Sequence, residues 1–107
     1  MQDDFPSNKH YGFYVEHPEI PEKVKVEYNG QWSKVSPDVI HFQLYSVWTS
    51  SSGYRSHFTF KPLLEEFNNS VHDAAKALVD ELYRERKKSL SKQEVNELKY
   101  GQQQSLF

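Results

Sequence analysis

The chain has 107 residues, 36% of them hydrophobic and 15% aromatic, which suits one domain around one core and leaves no room for a second. It has no cysteine, which excludes a disulfide framework, a thiolate metal site and a cysteine nucleophile. A net charge of -2 excludes strong, purely electrostatic binding of nucleic acid, although a local basic face survives that average.

The opening MQDDFPSNKH carries acidic residues and a proline where a secretory leader would be apolar, and no later stretch approaches membrane-spanning length. The sequence therefore predicts a soluble, cytoplasmic protein with no membrane partner and a flexible segment over residues 1–10. Tyr11 to Glu16 reads as a first strand, stopped by Pro18 and Pro21. Val24, Val26 and Tyr28 then alternate with Lys25 and Glu27. Asn29-Gly30 supplies the two positive-φ positions of a tight hairpin that returns over Gln31 to Val35. Ser36-Pro37-Asp38 is a turn by its chemistry. His41 to Trp48 and Tyr54 to Phe60 are two more aromatic and β-branched runs, joined by a hairpin loop at Thr49 to Gly53.

After Pro62 the period changes from two to between three and four. Leu64, Phe67, Val71, Ala74, Ala75, Leu78 and Leu82 predict one long amphipathic helix ending near Lys88. Ser91 to Glu94 forms a capping box, with Leu90 and Val95 placed as a hydrophobic staple, and predicts a short second helix. Gly101 fits the position after its end. The expected architecture is α+β: an antiparallel meander of four or five strands, then a long amphipathic helix and a short second one. One domain covers residues 1–100, and 101–107 form a C-terminal tail.

A two-residue turn at Asn29-Gly30 sets Val24 opposite Val35 and Lys25 opposite Lys34. A five-residue loop in the second hairpin pairs Leu44 with Phe58 and Phe42 with Phe60 on an apolar face. The reverse face then carries His41, Gln43, Tyr45, Val47, Arg55, His57 and Thr59. Lys25, Trp32, Lys34, Tyr45, Arg55 and His57 are thus the candidate nucleic-acid-binding residues, with aromatic rings to stack unpaired bases and cations to hold phosphates. A solvated sheet face has the same composition, so that reading stands beside it. Four strands followed by a long helix resembles the order of elements in small single-strand-binding proteins of the transcription-cofactor type. Arg84, Arg86, Lys87 and Lys88 form a second basic cluster, which also complements the negative end of a helix dipole.

No catalytic set, cofactor site or metal site assembles from the sequence, and no small-molecule substrate is expected. His57-Phe58-Thr59 resembles half of the paired His-x-Thr motif of the two-histidine phosphoesterases, but no second copy follows His10, His17, His41 or His72. There is no glycine-rich phosphate loop and no nucleophile elbow.

The tail ends in Gln103-Gln104-Ser105-Leu106-Phe107. These five residues resemble the pentapeptide by which bacterial replication and repair proteins dock on the sliding clamp of DNA polymerase. The resemblance implies that the Gln103 amide orients the peptide, Ser105 fits a small polar slot, and Leu106 and Phe107 fill an apolar pocket. Gln104 departs from the pattern, in which leucine is usual. The alternative is that Leu106 and Phe107 fold back to finish the core. Together these features predict a non-catalytic accessory protein of DNA replication, recombination or repair that docks on the clamp and binds single-stranded DNA. The competing expectation is a small phage- or plasmid-type inhibitor or adaptor that binds a host protein through the sheet face without touching DNA.

Overall fold

The computed structural model describes residues 10–90 together with 93, 94, 96 and 97. Four strands, β1 (His10–Val15), β2 (Val24–Asn29), β3 (Val39–Tyr45) and β4 (Arg55–Phe60), form an antiparallel sheet in chain order. A 3₁₀ helix, Lys61–Phe67, and one α-helix, α1 (Val71–Ser89), follow. The fold is therefore the expected α+β meander, with four strands.

Period-2 alternation explains the strands. Val24, Val26 and Tyr28 of β2 and Ile40, Phe42 and Leu44 of β3 point to one side and are buried. Phe13 and Val15 of β1 join them through the pairs Phe13 with Val26 and Val15 with Val24. Helix α1 covers this side with Val71, Ala75, Leu78, Val79, Leu82 and Tyr83, a stripe at the helical period. Burying side chains of this size is worth roughly 1.5 to 3 kcal/mol each, which makes the contact between helix and sheet the main source of stability.

Three local expectations are corrected. The Asn29-Gly30 hairpin does not form, and β2 pairs instead with β3, placing Lys25 opposite Tyr45 and Asn29 opposite His41. Side-chain oxygens capture the backbone donors of the connection: Asn29 Oδ1 accepts from the Gln31 amide at 2.9 Å, and Ser33 Oγ accepts from those of Val35 and Ser36. The competition is unequal, because β3 offers three large aliphatic and aromatic side chains to the core where Gln31 to Val35 offers one. Val35, expected to face Val24, is 92% exposed.

The second correction is the register of β4. Phe58 pairs with His41, and Phe42 with His57. This is a shift of three residues from the expected pairing, and an odd shift reverses every side chain of the strand. The cause lies in the connection. Ser46 ends β3 by accepting from the Thr49 and Ser50 amides through its carbonyl and from the Trp48 amide through its hydroxyl. Trp48 turns into the core against Tyr83, with ring centroids 6.2 Å apart, instead of extending the strand. Gly53, at φ 81°, then takes the left-handed position that starts the return.

Third, the long helix predicted from Pro62 is broken. Asn68 and Asn69 adopt left-handed backbone at φ 55° and 60°, and Ser70 caps α1 by accepting from the Asp73 amide at 3.1 Å. Beyond α1, Gln93, Glu94, Asn96 and Glu97 are helical. The Ser91 cap, the Val95 half of the staple, the stop at Gly101 and the tail at 101–107 lie outside the described residues, as do residues 1–9.

The basic cluster at the end of α1 ties the helix down. Arg86 Nε donates to the Val47 carbonyl at 3.0 Å and Lys87 Nζ to Glu19 at 3.1 Å, while Arg84 Nε donates within the helix to Asp80 at 2.9 Å. His17 Nδ1 accepts from the Glu19 amide, which leaves Nε2 to donate to Asp80 at 2.8 Å and fastens the β1–β2 connection to the helix. That hydrogen bond, ahead of the Arg84 contact, holds the Asp80 carboxyl below its ordinary value against the opposing pull of burial.

Candidate functional site

The site is the sheet face that α1 does not cover. Register places the side chains in rows across the strands. One row holds Tyr14, Lys25 and Tyr45, and Tyr54 adds its ring beside Tyr45 at 5.3 Å between centroids. The next holds Gly12, Glu27, Gln43 and Ser56. A third holds His10, Asn29, His41 and Phe58, and Phe60 pairs with Val39 beyond it. Trp32, carried on the β2–β3 connection, leans over the third row, 4.7 Å from the His41 ring and 5.3 Å from that of Phe58.

Tyr14, Trp32, Tyr45, Tyr54, Phe58 and Phe60 are between 38 and 59% exposed. Six aromatic side chains therefore stand half out of the protein on one side of one sheet. Single scattered exposed apolar residues need no explanation, but six gathered on one sheet face make it the candidate binding surface. The rings fall into two groups, Tyr14, Tyr45 and Tyr54 at one end and Trp32, Phe58 and Phe60 at the other.

Between them lies a polar stripe held by the phenols. Tyr45 donates to Glu27 Oε1 at 2.7 Å, with Gln43 Oε1 at 3.1 Å, and Tyr54 donates to Gln43 Oε1 at 3.0 Å. The bond to Glu27 pushes the Tyr45 phenol up to about 12, so it remains a proton donor at neutral pH. Lys25 Nζ sits 5.8 Å from the centre of the Tyr45 ring, within cation–π range.

His41 is the buried member of the aromatic end. It stacks on Phe58 with centroids 4.3 Å apart and planes 8° from parallel, and its Nε2 lies 2.5 Å from Ser56 Oγ. Its Nδ1 has no hydrogen-bond partner among the described residues. Burial, aided by His10 and His57, lowers its pKa below the ordinary imidazole value.

Of the six sequence-predicted binding residues, the structure brings Lys25, Trp32 and Tyr45 to this face. Lys34 lies on the β2–β3 connection, where it lines a shallow pocket with Gln31, Ser33, Pro37 and Lys61. Arg55 and His57 are on the opposite, helix-side face as a consequence of the β4 register. Arg55 lines a depression with Thr49, Leu82 and Arg86, and His57 a groove with Phe42, Thr59, Leu64 and Leu78. Burial lowers the His57 pKa against the opposing effect of Glu81. Tyr14, Tyr54, Phe58 and Phe60 are the residues that sequence reasoning missed as exposed. Their signal was present, since β4 alternates two phenylalanines with His57 and Thr59, but the side was assigned from an assumed loop length.

His41 and His57 point to opposite faces, so they cannot share an ion. Among the described residues no group of three or more His, Asp or Glu side chains is placed to hold a metal ion, and no helix is long and apolar enough to cross a membrane. Compared with known proteins, the chain matches no family model, no curated protein and no solved structure.

Proposed function

We propose that this chain is a non-catalytic accessory protein of DNA replication, recombination or repair, which stacks unpaired bases of single-stranded DNA on its uncovered sheet face. The observation that carries this reading is the set of six half-exposed aromatic rings on the side of the sheet opposite α1. Each stacked base contributes about 1 to 3 kcal/mol and does so for every base, because every base has a π-face. Cations are available at both ends of the platform, Lys25 at the tyrosine end and Lys34 with Lys61 at the tryptophan end. Three phosphate contacts predict a shallow salt dependence, a log–log slope of about -2. The residues Gln103 to Phe107 add the second half of the proposal, docking on the bacterial sliding clamp through Leu106 and Phe107.

Two measurements test this. Fluorescence anisotropy at low salt, with a labelled oligothymidylate of about twelve nucleotides, should show binding that weakens with salt along that slope. Absence of binding at low salt sinks the DNA reading. For the tail, calorimetric titration against a bacterial clamp should show micromolar-scale binding, since two such side chains supply roughly 3 to 6 kcal/mol before ordering costs. Leu106→Ala with Phe107→Ala should remove it, and Gln104→Leu should strengthen it. No heat at tens of micromolar protein removes the clamp from the proposal.

One observation favours a second reading. On the strands of this face Lys25 stands beside Glu27, so the platform is close to neutral, as expected of an aromatic hot spot for another protein. On that reading the chain is a small phage- or plasmid-type inhibitor or adaptor of a host protein. The salt series separates the two, because a neutral protein contact shows no counterion-release slope.

A further inference from the structure

The polar stripe between the two aromatic groups is out of place in a surface that binds DNA only by stacking and phosphate contact. A carboxylate at the centre of such a platform repels phosphate. It is compatible with bound DNA only if the sugar–phosphate backbone runs along the lysine-bearing ends and the bases, not the phosphates, lie over Glu27. A carboxylate in that position can accept hydrogen bonds from a base as well as from the Tyr45 phenol.

The surroundings of Glu27 are built for this. Its Oε1 is fixed by the Tyr45 phenol at 2.7 Å, which sets the orientation of the group before any ligand arrives. No hydrogen bond to Oε2 occurs among the described residues. Across β1 its neighbour is Gly12, which leaves a bare floor beside the carboxylate, bordered along the strand by Tyr14 and His10. A Cβ at Gly12 would meet Glu27 Cγ at 3.7 Å, so a side chain there would crowd the Glu27 side chain that lies across this position. Across β3 its neighbour is Gln43, whose Oε1 accepts from Tyr54, which leaves its amide nitrogen as the donor. The stripe thus presents two acceptor positions on Glu27 next to a donor on Gln43.

We infer that this stripe reads a guanine in the bound single strand, with Glu27 accepting from guanine N1–H and N2–H and Gln43 donating to O6. Guanine alone presents two adjacent donors followed by an acceptor on its pairing edge. Cytosine and adenine offer one donor there, and thymine one donor between two acceptors. A flat base seated over Gly12 can stack against Tyr14 while its edge meets the carboxylate. The inference rests on the stacking function proposed above and assigns that surface a base preference which stacking alone does not supply.

The test uses the whole chain and four oligonucleotides, the oligothymidylate of about twelve nucleotides and the same strand with one central adenine, cytosine or guanine. Anisotropy titrations at one low salt concentration give the ratio of each affinity to that for thymidylate. Guanine should bind tighter by at least about fivefold, the lower end of what a paired base contact provides. Glu27→Gln, an isosteric surface change, should bring the guanine ratio to near one. Tyr45→Phe, which releases the carboxylate from its phenol, should lower it by a smaller factor. Equal affinity for all four strands overturns the guanine assignment and leaves the stacking function standing, as does a guanine ratio that survives both substitutions. No binding of any strand overturns both.

Discussion

The two faces of this sheet use different chemistry for their apolar residues. The helix-covered face of β2 and β3 is built from Val24, Val26, Ile40 and Leu44, with Tyr28 and Phe42 among them, all essentially inaccessible to water. The open face is built from Tyr14, Tyr45, Tyr54, Phe58, Phe60 and Trp32, all half exposed. Branched aliphatic side chains interlock well but offer solvent nothing. Aromatic rings give large flat surfaces at little loss of rotational freedom, and those of tyrosine also carry a polar tip. The covered side hides rings as well as aliphatic side chains, but the exposed large apolar residues of the open side are all aromatic. On the function proposed above, the sheet therefore has its stability on one side and its binding on the other.

That division breaks most sharply on the covered side. Leu44→Ala should destabilise the domain by about 2 to 5 kcal/mol in a denaturant titration, since it leaves a void between β3 and α1. Loss of base stacking should follow only from loss of fold. On the open side the expectation reverses. Trp32→Ala should leave the denaturation midpoint almost unmoved, while oligonucleotide affinity falls by about 1 to 3 kcal/mol with little dependence on sequence. If Trp32→Ala destabilises the fold as much as Leu44→Ala, the ring belongs to a second core and the division is wrong.

The smallest effect is with pH, and it touches both faces. Burial lowers the pKa of His41 beneath Trp32 and Phe58, and of His57 on the covered side. Below the ordinary imidazole value of 6.5 the unfolded chain takes up protons that these two folded residues refuse. Stability should therefore decline as pH falls from neutrality toward 5.5, the sign expected when the unfolded state binds more protons. NMR titration should place the His41 midpoint below that of a free imidazole, and Phe58→Ala should raise it by opening the ring to water. A midpoint at or above the ordinary value in the wild type would contradict the burial of His41.

The sequence carried most of the architecture. Alternation located β2, aromatic and β-branched runs located the other three strands, and the change of period located α1, because each depends on local composition and on burial of one face. Lys25 and Tyr45 reached the open face as the pattern implied, whereas Trp32 reached it from the β2–β3 connection and not from the expected return strand. The errors came where one local signal competed with a tertiary one. Asn29-Gly30 is a strong turn pair, yet it lost to the larger apolar area that β3 brings to β2. The side of β4 depended on whether the connection kept an even or an odd offset. That parity was set by Trp48 entering the core, a contact with Tyr83 thirty-five positions along the chain. Because the side reversed, Arg55 and His57 were placed with the bases, and Phe58 and Phe60 with the core. The break at Asn68-Asn69-Ser70 was legible, since two residues tolerant of left-handed backbone precede a helix cap, but the apolar period running through them masked it.

Each strand of the meander pairs only with its neighbours in the sequence. Such a topology closes short loops one after another, so the sheet can form quickly and from either end. Helix α1 follows the whole sheet in the chain, and until it docks, the aliphatic face lacks the helix that covers it. For that interval the protein is a greasy sheet whose outer strands, β1 and β4, each pair on one side only among the described residues, the form most prone to association with copies of itself. A ribosome that releases residues 71–89 late, or a truncation that removes them, should therefore yield aggregate instead of a smaller folded domain.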